Sequence, residues 1–277
     1  MSLFSLEQKV AVVTGAGANG GIGHAIALGC ARAGARLVVS DIDEAGLSRT
    51  ADEIAALGAP VLALHCDIAN SAEVENLFAA VDQQFGRLDV LVNVPFYFPR
   101  RVAAHEVSVD DWQQMLSVNL TGYFLCIRAG LRRMLACGGG SIVNIGSNAG
   151  VSALGRGAFP YSTAKAAVHQ MTKELAVEYA SRKIRVNALI PAQVLTPGLQ
   201  HHLNDARFRE VVLPRILAGL PIGRLLCPDD MVGPAIFLAS DAAQAVTGVL
   251  LPVDGGNLAL NAGGTPNCFA DQTTEEG

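Results

Sequence analysis

The stretch that decides the fold is Val10-Ala-Val-Val-Thr-Gly-Ala-Gly-Ala-Asn-Gly-Gly-Ile-Gly-His-Ala-Ile-Ala27. An apolar, β-branched run ends at Thr14, a glycine-dense turn follows, and a segment of helical periodicity then begins. A continuously apolar strand is typical of a parallel sheet that helices cover on both faces. Glycines in such a turn let the backbone approach a pyrophosphate and leave helix N-terminal amides pointing at it. The stretch therefore predicts a dinucleotide-binding βαβ unit.

Short apolar runs alternate with longer helical patterns along the rest of the chain, which predicts an α/β protein of the Rossmann-type, doubly wound class. We expect a seven-stranded parallel sheet flanked by helices, in a single dinucleotide-binding catalytic domain over residues 1–260. The predicted strands are Val10–Thr14, Arg36–Ser40, Val61–Cys66, Leu88–Val92, Ser141–Ile145, Arg185–Leu189 and Leu250–Val253. The predicted helices are Gly23–Ala33, Glu44–Leu57, Ala72–Phe85, Val109–Cys137, Tyr161–Ser181 and Asp229–Ala239.

Two regions depart from this alternation. Residues 192–226, between the sixth strand and the last helix, are too many for an ordinary connection, and we expect a substrate lid there. Residues 261–277 are rich in glycine, threonine and glutamate and lack periodicity. We expect them to form a C-terminal tail that is poorly ordered unless a neighbouring subunit holds it.

Composition limits the possible functions. Of the 277 residues, 51% are hydrophobic and only 16% are charged, which favours a homotetramer or homodimer. The net charge of -5 argues against binding to nucleic acid or to an anionic membrane. The sequence has neither a signal peptide pattern nor an apolar run of about 18 residues, so we expect a cytoplasmic protein. The six cysteines lack metal-ligand spacing, and we expect reduced thiols and no metal site.

An acidic residue, Asp41, follows the second predicted strand, 18 residues after Gly23. A carboxylate at this position can accept hydrogen bonds from both ribose hydroxyls and repels a 2′-phosphate, which favours NAD over NADP. The alternative is that Asp41 only caps the strand end.

Tyr161 and Lys165 lie four residues apart and therefore on one face of a predicted helix. A nearby ammonium group favours the phenolate form of tyrosine, which makes the pair suitable for acid/base chemistry. The same spacing also arises by chance, as a helix-start tyrosine with a solvated lysine, so the pair depends on its context.

That context resembles the short-chain dehydrogenase/reductase (SDR) family over residues 8–260. The family's glycine motif is T-G-x-x-x-G-x-G, but here five residues rather than the usual three separate Gly15 from Gly21. A competing register would use Gly15, Gly17 and Gly20; we prefer the first, because its continuation Gly21-Ile-Gly-His-Ala-Ile-Ala27 is more similar to the family. By this resemblance the cofactor-binding residues are Gly15, Gly21, Ile22, Gly23, Asp41, Asp67, Ile68, Asn93, Tyr161, Lys165, Val194 and Thr196.

The resemblance also implies the catalytic residues. Ser147 would bind the reacting oxygen, with Asn148 as a rival for that position, and Tyr161 would exchange the proton. Lys165 would bond the nicotinamide ribose, and the carbonyl of Asn119 would hold a water that relays protons to it. One departure lies after the fourth strand, where Asn93-Val-Pro-Phe96 replaces the family's N-N-A-G and is expected to narrow the pocket.

The resulting expectation is an NAD-dependent oxidoreductase that transfers a hydride between nicotinamide and a secondary alcohol or carbonyl, such as a polyol, sugar or hydroxy acid. The alternatives are an NADPH-dependent carbonyl reductase of the same fold and a non-catalytic dinucleotide-binding protein. Arg100 and Arg101 either pair with an anionic substrate or are solvated. Assembly would use the two long helices after the fourth and fifth strands, as is usual in the family.

Overall fold

The computed structural model describes residues 3–155, 157–261 and 264. All seven predicted strands are present and parallel, which confirms the fold class. Their order in the sheet is β3-β2-β1-β4-β5-β6-β7, so the chain reverses direction across the sheet between β1 and β4. The crevice at the carboxyl ends of those two strands is where open α/β sheets bind ligands. The strands are β1 (Val10–Thr14), β2 (Arg36–Asp41), β3 (Val61–His65), β4 (Val90–Asn93), β5 (Gly140–Ile145), β6 (Ile184–Pro191) and β7 (Leu250–Val253).

Helices cover both faces of the sheet, and a separate apolar core fills each side. One core contains Ile26, Leu47 and Ile236, and the other contains Phe78 and Ile127. The helices are α1 (Ile22–Arg32), α2 (Glu44–Ala56), α3 (Ser71–Phe85), α4 (Val109–Leu116), α5 (Tyr123–Cys137), α6 (Phe159–Tyr179), α7 (Pro197–His202), α8 (Leu213–Ala218) and α9 (Val232–Ala239). In the part of the chain that is described, none of these helices has the length and apolar character needed to cross a bilayer.

Side-chain caps fix where several helices begin. Asp43, Asn70 and Ser108 each accept a hydrogen bond from a backbone amide in the first turn of α2, α3 and α4. These contacts satisfy amides that have no partner within the helix. Helix α3 ends at Gly86, whose left-handed φ of 69° glycine adopts at little cost.

The predicted helix over 109–137 is interrupted. Residues 117–122 form a π-helical segment that joins α4 to α5. Ile68, which follows β3, packs against Gly122 in this segment so closely that a Cβ there would lie 2.6 Å from the Ile68 Cδ1 atom. Single π-helical turns within α-helices are frequent at functional sites, and this one contains Asn119.

The predicted lid, residues 192–226, leaves the sheet and returns to the same point. It contains α7, α8 and a π-helical segment at 208–212. Val194 and Leu226 form a parallel bridge, and the Leu195 amide donates to the Leu226 carbonyl over 2.7 Å. Both ends of the excursion are thus fixed at the carboxyl edge of the sheet. Of the predicted tail at 261–277, all but 261 and 264 lies outside the described residues.

Among the described residues, all the cysteines are free thiols, namely Cys30, Cys66, Cys126, Cys137 and Cys227. Cys30, Cys66 and Cys126 are buried, and burial raises the pKa of Cys30 and of Cys66 to about 12. Cys268 lies outside the described residues. Within residues 3–155 and 157–261, no group of histidine, cysteine or acidic side chains is arranged to hold a metal ion.

Candidate active site

Tyr161 and Lys165 lie in the first two turns of α6, on the face directed at the carboxyl ends of β4 and β5. The Lys165 side chain is only 1% exposed. Its Nζ atom donates to the Ile145 carbonyl over 2.8 Å and lies 5.9 Å from the centroid of the Tyr161 ring. Burial lowers the pKa of Lys165 to about 7, so the amine titrates near neutral pH.

Ser147 follows β5 and lies within hydrogen-bonding reach of Tyr161. Burial raises the pKa of the Tyr161 phenol, and the hydrogen bond with Ser147 acts in the opposite direction. The phenol is therefore neutral near pH 7 in the free protein. The structure thus brings Ser147, Tyr161 and Lys165 together, as the sequence predicted for the reacting groups.

A second tyrosine, Tyr123, also contacts Lys165, and the sequence did not single it out. Tyr123 is fully buried at the start of α5, and the Lys165 Nζ atom donates to its hydroxyl over 3.1 Å. The Tyr123 hydroxyl in turn lies 3.1 Å from the Pro95 carbonyl and 3.2 Å from that of Ile145. This set of oxygens holds the amine in place. The available signal was the position of Tyr123 four residues after Asn119, one helical turn along.

Asn119 connects the π-helical segment to the chain after β4. Its Oδ1 atom accepts from the Tyr97 amide over 3.1 Å, and its Nδ2 atom donates to the Tyr97 carbonyl over 2.8 Å. The amide side chain therefore pairs with a main-chain unit as a neighbouring strand would. This contact fixes the loop that forms one wall of the crevice.

His169, which the sequence analysis did not single out, lies behind Ser147. The imidazole is 4% exposed, and its Nε2 atom lies 3.3 Å from the Ser147 amide, which donates to it. A Cβ at Gly146 would lie 2.4 Å from Nε2, and one at Gly150 would lie 2.6 Å from Cε1. Residues 146–150 therefore wrap around the ring, and His169 is a positioning residue for the Ser147 backbone.

This buried histidine predicts acid sensitivity. Burial, together with the charge of Lys165, lowers the pKa of His169 from 6.5 to about 4. Between those values the unfolded chain binds a proton that the folded protein does not, so stability is lost as pH falls from 6.5 to 4. Between pH 7.5 and pH 4.5, we expect the free energy of unfolding of the wild type to fall by about 2 kcal/mol more than that of His169→Gln.

Urea unfolding of the cofactor-free protein at both pH values measures this difference. His105→Gln, at an exposed histidine before α4, is the matched control and should behave as the wild type does. Equal acid-induced losses in the wild type and His169→Gln would show that the imidazole is not held in its neutral form.

The observed start of α1 bears on the two possible registers of the glycine motif. Helix α1 starts at Ile22, directly after Gly21. A Cβ at Gly23 would lie 2.0 Å from the Gly15 carbonyl oxygen, and one at Gly15 would lie 2.8 Å from the Pro95 nitrogen. These close approaches require glycine at both positions. Gly15 belongs to both registers, and a Cβ at Gly17 would also lie 2.7 Å from the Asp41 Cγ atom, so it is the start of α1 directly after Gly21 that fits the register of Gly15, Gly21 and Gly23.

The lengthened glycine turn packs against α2. The Thr50 hydroxyl donates to the Ala16 carbonyl over 2.8 Å, and the Arg49 Nε atom donates to the Asn19 Oδ1 atom over 2.8 Å. A Cβ at Gly46 would overlap the Gly17 carbonyl oxygen, at 1.9 Å. The longer turn is thus held down by α2 and leaves the N-terminus of α1 facing the crevice.

Asp41 is the last residue of β2 and supports this turn. Its carboxylate accepts from the Gly17 amide over 2.8 Å and from the Asp43 amide over 3.0 Å. A carboxylate has about four acceptor sites, so two remain for a ligand. The capping role and the ribose-binding role that the sequence offered as alternatives are therefore compatible.

The other residues predicted to bind the cofactor lie at the ends of β3, β4 and β6. Ile68 and Val194 are buried, the Asp67 carboxylate accepts from the Ala69 amide over 2.9 Å, and Thr196 precedes α7. The Asn93 Nδ2 atom donates to the Asn144 Oδ1 atom over 2.9 Å, inside the sheet. The Asn93 side chain is therefore engaged within the sheet.

The segment after β4 forms the opposite wall. Pro95 contacts Gly15, as expected of a narrowed pocket, but the Phe96 side chain is 61% exposed and so contributes little to that narrowing. Phe98 packs edge-on against Tyr161 with ring centroids 5.5 Å apart. Arg101 lies over the Phe98 ring at 5.2 Å, and Arg100 forms a 3.2 Å ion pair with Asp111.

Comparison with known proteins agrees with this geometry. A family model described as enoyl-(acyl carrier protein) reductase matches residues 15–257. The chain is 40% identical to D-threitol dehydrogenase of Mycolicibacterium smegmatis, over 91% of this chain and 94% of that protein. It is 38% identical to L-rhamnose 1-dehydrogenase (NAD(P)(+)) of Azotobacter vinelandii, over 91% of this chain and 97% of that one.

Solved structures are similar over almost the whole chain. A putative short-chain dehydrogenase/reductase from Burkholderia xenovorans superposes with a TM-score of 0.88 at 37% identity, covering 92% of this chain and 98% of that one. A putative NAD(P)-dependent gluconate 5-dehydrogenase from Beutenbergia cavernae with bound NADP gives 0.84 at 41% identity, covering 94% and 100%.

Proposed function

The chain belongs to the short-chain dehydrogenase/reductase family and is an oxidoreductase acting on CH–OH groups with a nicotinamide cofactor; on that premise, we propose that it is an NAD-dependent dehydrogenase of a polyol, sugar or hydroxy acid. The observation that carries the proposal is the convergence of Ser147, Tyr161 and Lys165 at the carboxyl edge of the sheet, next to the glycine turn. D-threitol, L-rhamnose and gluconate in the names of similar proteins support this substrate class.

The residues of the crevice fit a dinucleotide. The close approach of Gly23 to Gly15 brings the glycine turn against the start of α1, where the N-cap residue, Gly21, makes no side-chain hydrogen bond. The first amides of α1 would hold the pyrophosphate, Asp41 the adenosine ribose, and Lys165 the nicotinamide ribose. When bound, the nicotinamide supplies the hydride acceptor.

In the oxidising direction, Ser147 and Tyr161 bind the alcohol oxygen. Tyr161 would take the hydroxyl proton, and the alcohol, on giving up a hydride as well, would become a carbonyl. Burial raises the pKa of Tyr161, and a positive charge beside the phenol, as a bound oxidised cofactor would supply, would oppose that effect and favour the phenolate form. Lys165, held by Tyr123 and the Ile145 carbonyl, then passes the proton towards Asn119 and solvent.

Asp41 predicts the cofactor preference. Its carboxylate repels a 2′-phosphate, so we expect the wild type to use NAD with a kcat/KM at least about tenfold above that with NADP. Asp41→Ser should lower kcat/KM with NAD by about tenfold and raise it with NADP. Steady-state rates with both cofactors and D-threitol, L-rhamnose, D-gluconate and a wider set of secondary alcohols measure this preference and test the activity.

Asp52→Asn, at an exposed position on α2, is the control and should keep the wild-type ratio. A wild type that preferred NADP would instead support the carbonyl reductase. That second candidate is favoured by Arg49, which the structure brings against the glycine turn through its bond to Asn19.

We also propose that the protein assembles as a homodimer or homotetramer through α5 and α6. Phe124 on α5 is 45% exposed and Val177 on α6 is 83% exposed, although both are large apolar side chains. Burying these faces against a second copy would remove that apolar surface from water.

The free thiols support a cytoplasmic location.

A further inference from the structure

A cavity of about 270 Å³ lies between the Ser147 loop, the end of β6 and the lid. It adjoins the reacting groups, since its walls come from residues that directly follow Ser147 and from α8. The polar side chains among its lining residues include Asn148, Gln193, Arg215 and Asn257. A larger cavity, of about 540 Å³, lies at the opposite, amino-terminal edge of the sheet, away from the reacting groups.

A chain of hydrogen bonds joins this cavity to the catalytic serine. The Ser147 hydroxyl lies 3.4 Å from the Asn148 Oδ1 atom, and the Asn148 Nδ2 atom donates to the Asn257 Oδ1 atom over 2.6 Å. The Asn257 Nδ2 atom then donates to the Gly219 carbonyl, which follows α8, over 2.6 Å. The end of the lid is therefore held at a fixed distance from Ser147, and the cavity is built into the fold.

The lining has one charge, and that charge is positive. None of the residues around the cavity is acidic, and Arg215 on α8 is its only cation. Within the described residues, Arg215 has neither an ion pair nor a side-chain hydrogen bond. Arg100, one of the two arginines that the sequence offered for an anionic substrate, is by contrast paired with Asp111.

We propose that Arg215 binds the carboxylate of the substrate, and that the enzyme therefore acts on hydroxy acids in preference to uncharged polyols or sugars. This inference rests on the proposed function, because it assigns the far end of the same substrate. The guanidinium group offers a planar pair of donors that matches a carboxylate. One cation without acidic neighbours balances a monoanion, whereas a phosphate monoester would carry nearly two charges.

The other polar side chains that line the cavity can bind the hydroxyl groups of a hydroxy acid. Gln193 and Asn148 carry carboxamides, which both donate to and accept from hydroxyl groups. A volume of 270 Å³ corresponds to about nine water molecules in the liquid, which is of the right order for a hydroxy acid of four to six carbons. The carboxylate at Arg215 and the reacting hydroxyl at Ser147 would then fix both ends of the substrate.

Matched pairs of compounds test this assignment. We expect kcat/KM for D-gluconate and D-threonate to exceed that for D-glucitol and D-threitol by about 10- to 100-fold. Arg215→Gln should remove this preference by raising KM for the two acids about 10- to 100-fold. Arg215→Lys should retain part of it. Arg207→Gln, at an exposed lid arginine outside the cavity lining, is the control and should keep the full preference.

Calorimetric titration of the same compounds into the enzyme with NADH separates this inference from the proposed function. Acid-selective binding that Arg215→Gln abolishes, without turnover, would support the carboxylate site and reject the dehydrogenase. Turnover of a secondary alcohol together with equal binding of acids and polyols would keep the dehydrogenase and overturn the carboxylate site. An acid preference that Arg215→Gln leaves unchanged would also overturn it.

Discussion

Tyr161→Phe is expected to lower kcat by about 100- to 10,000-fold, which is the usual contribution of a positioned acid/base group. The phenylalanine ring keeps the packing against Phe98 but cannot exchange the proton of the substrate hydroxyl. Lys165 and its oxygen partners remain, so the affinity for NADH should stay within about threefold of the wild type. Single-turnover kinetics with the best substrate, together with NADH titration, measure both quantities.

Tyr179→Phe provides a matched control, because it makes the same change at the other end of α6. It should leave kcat near the wild-type value. Turnover of Tyr161→Phe within a few fold of the wild type would assign the proton transfer to another group. A parallel loss of NADH binding would instead indicate that the substitution disturbed Lys165.

The strands and most helix ends were predictable because local sequence determines them. The continuous apolar run before Thr14 and the glycine after α3 act over a few residues, and no tertiary contact overrides them. The convergence of the proposed catalytic residues was predictable for a related reason. Ser147, Tyr161 and Lys165 each follow or lie within such an element, and the parallel sheet brings the ends of its strands to one edge.

The supporting residues were not predictable, because their roles come from contacts between distant elements. Tyr123 reaches Lys165 across 42 positions, and His169 reaches Ser147 across 22. Apart from the position of Tyr123 one helical turn after Asn119, nothing in the local pattern distinguishes either from an ordinary buried aromatic side chain. The π-helical segment around Asn119 is similar, since a helical periodicity does not reveal one additional residue in a turn.

The lid is another region in which the sequence did not reveal which side chain lines the cavity. The arginines after β4 stood out in the sequence as an adjacent pair, yet Arg100 is paired with Asp111. Arg215 is one of several charged residues on the lid, and only the return of the chain at Leu226 brings it to a cavity. Which cation faces the substrate is therefore a property of the folded lid.

The glycine turn carries the second large expected effect, since Gly23→Ala should weaken NADH binding by about 100-fold or more. The new Cβ would lie 2.0 Å from the Gly15 carbonyl oxygen, so the turn must move away from α1. That movement displaces the amides proposed to hold the pyrophosphate. It should also cost about 1 to 3 kcal/mol of stability, which urea unfolding without cofactor measures.

Gly233→Ala is the control, because Gly233 is also the second residue of its helix, α9, and its added Cβ would meet no atom within 4 Å apart from its chain neighbours and its own helix backbone. It should bind NADH as the wild type does and keep a stability within about 1 kcal/mol of the wild type, because the helix propensity of alanine and the restriction that Pro234 places on the residue before it act in opposite directions. If Gly23→Ala lost stability but kept full NADH affinity, the pyrophosphate would have to bind away from this turn. The two readouts therefore separate the packing role of Gly23 from its role in the cofactor site, which sequence spacing alone could not do for a turn of unusual length.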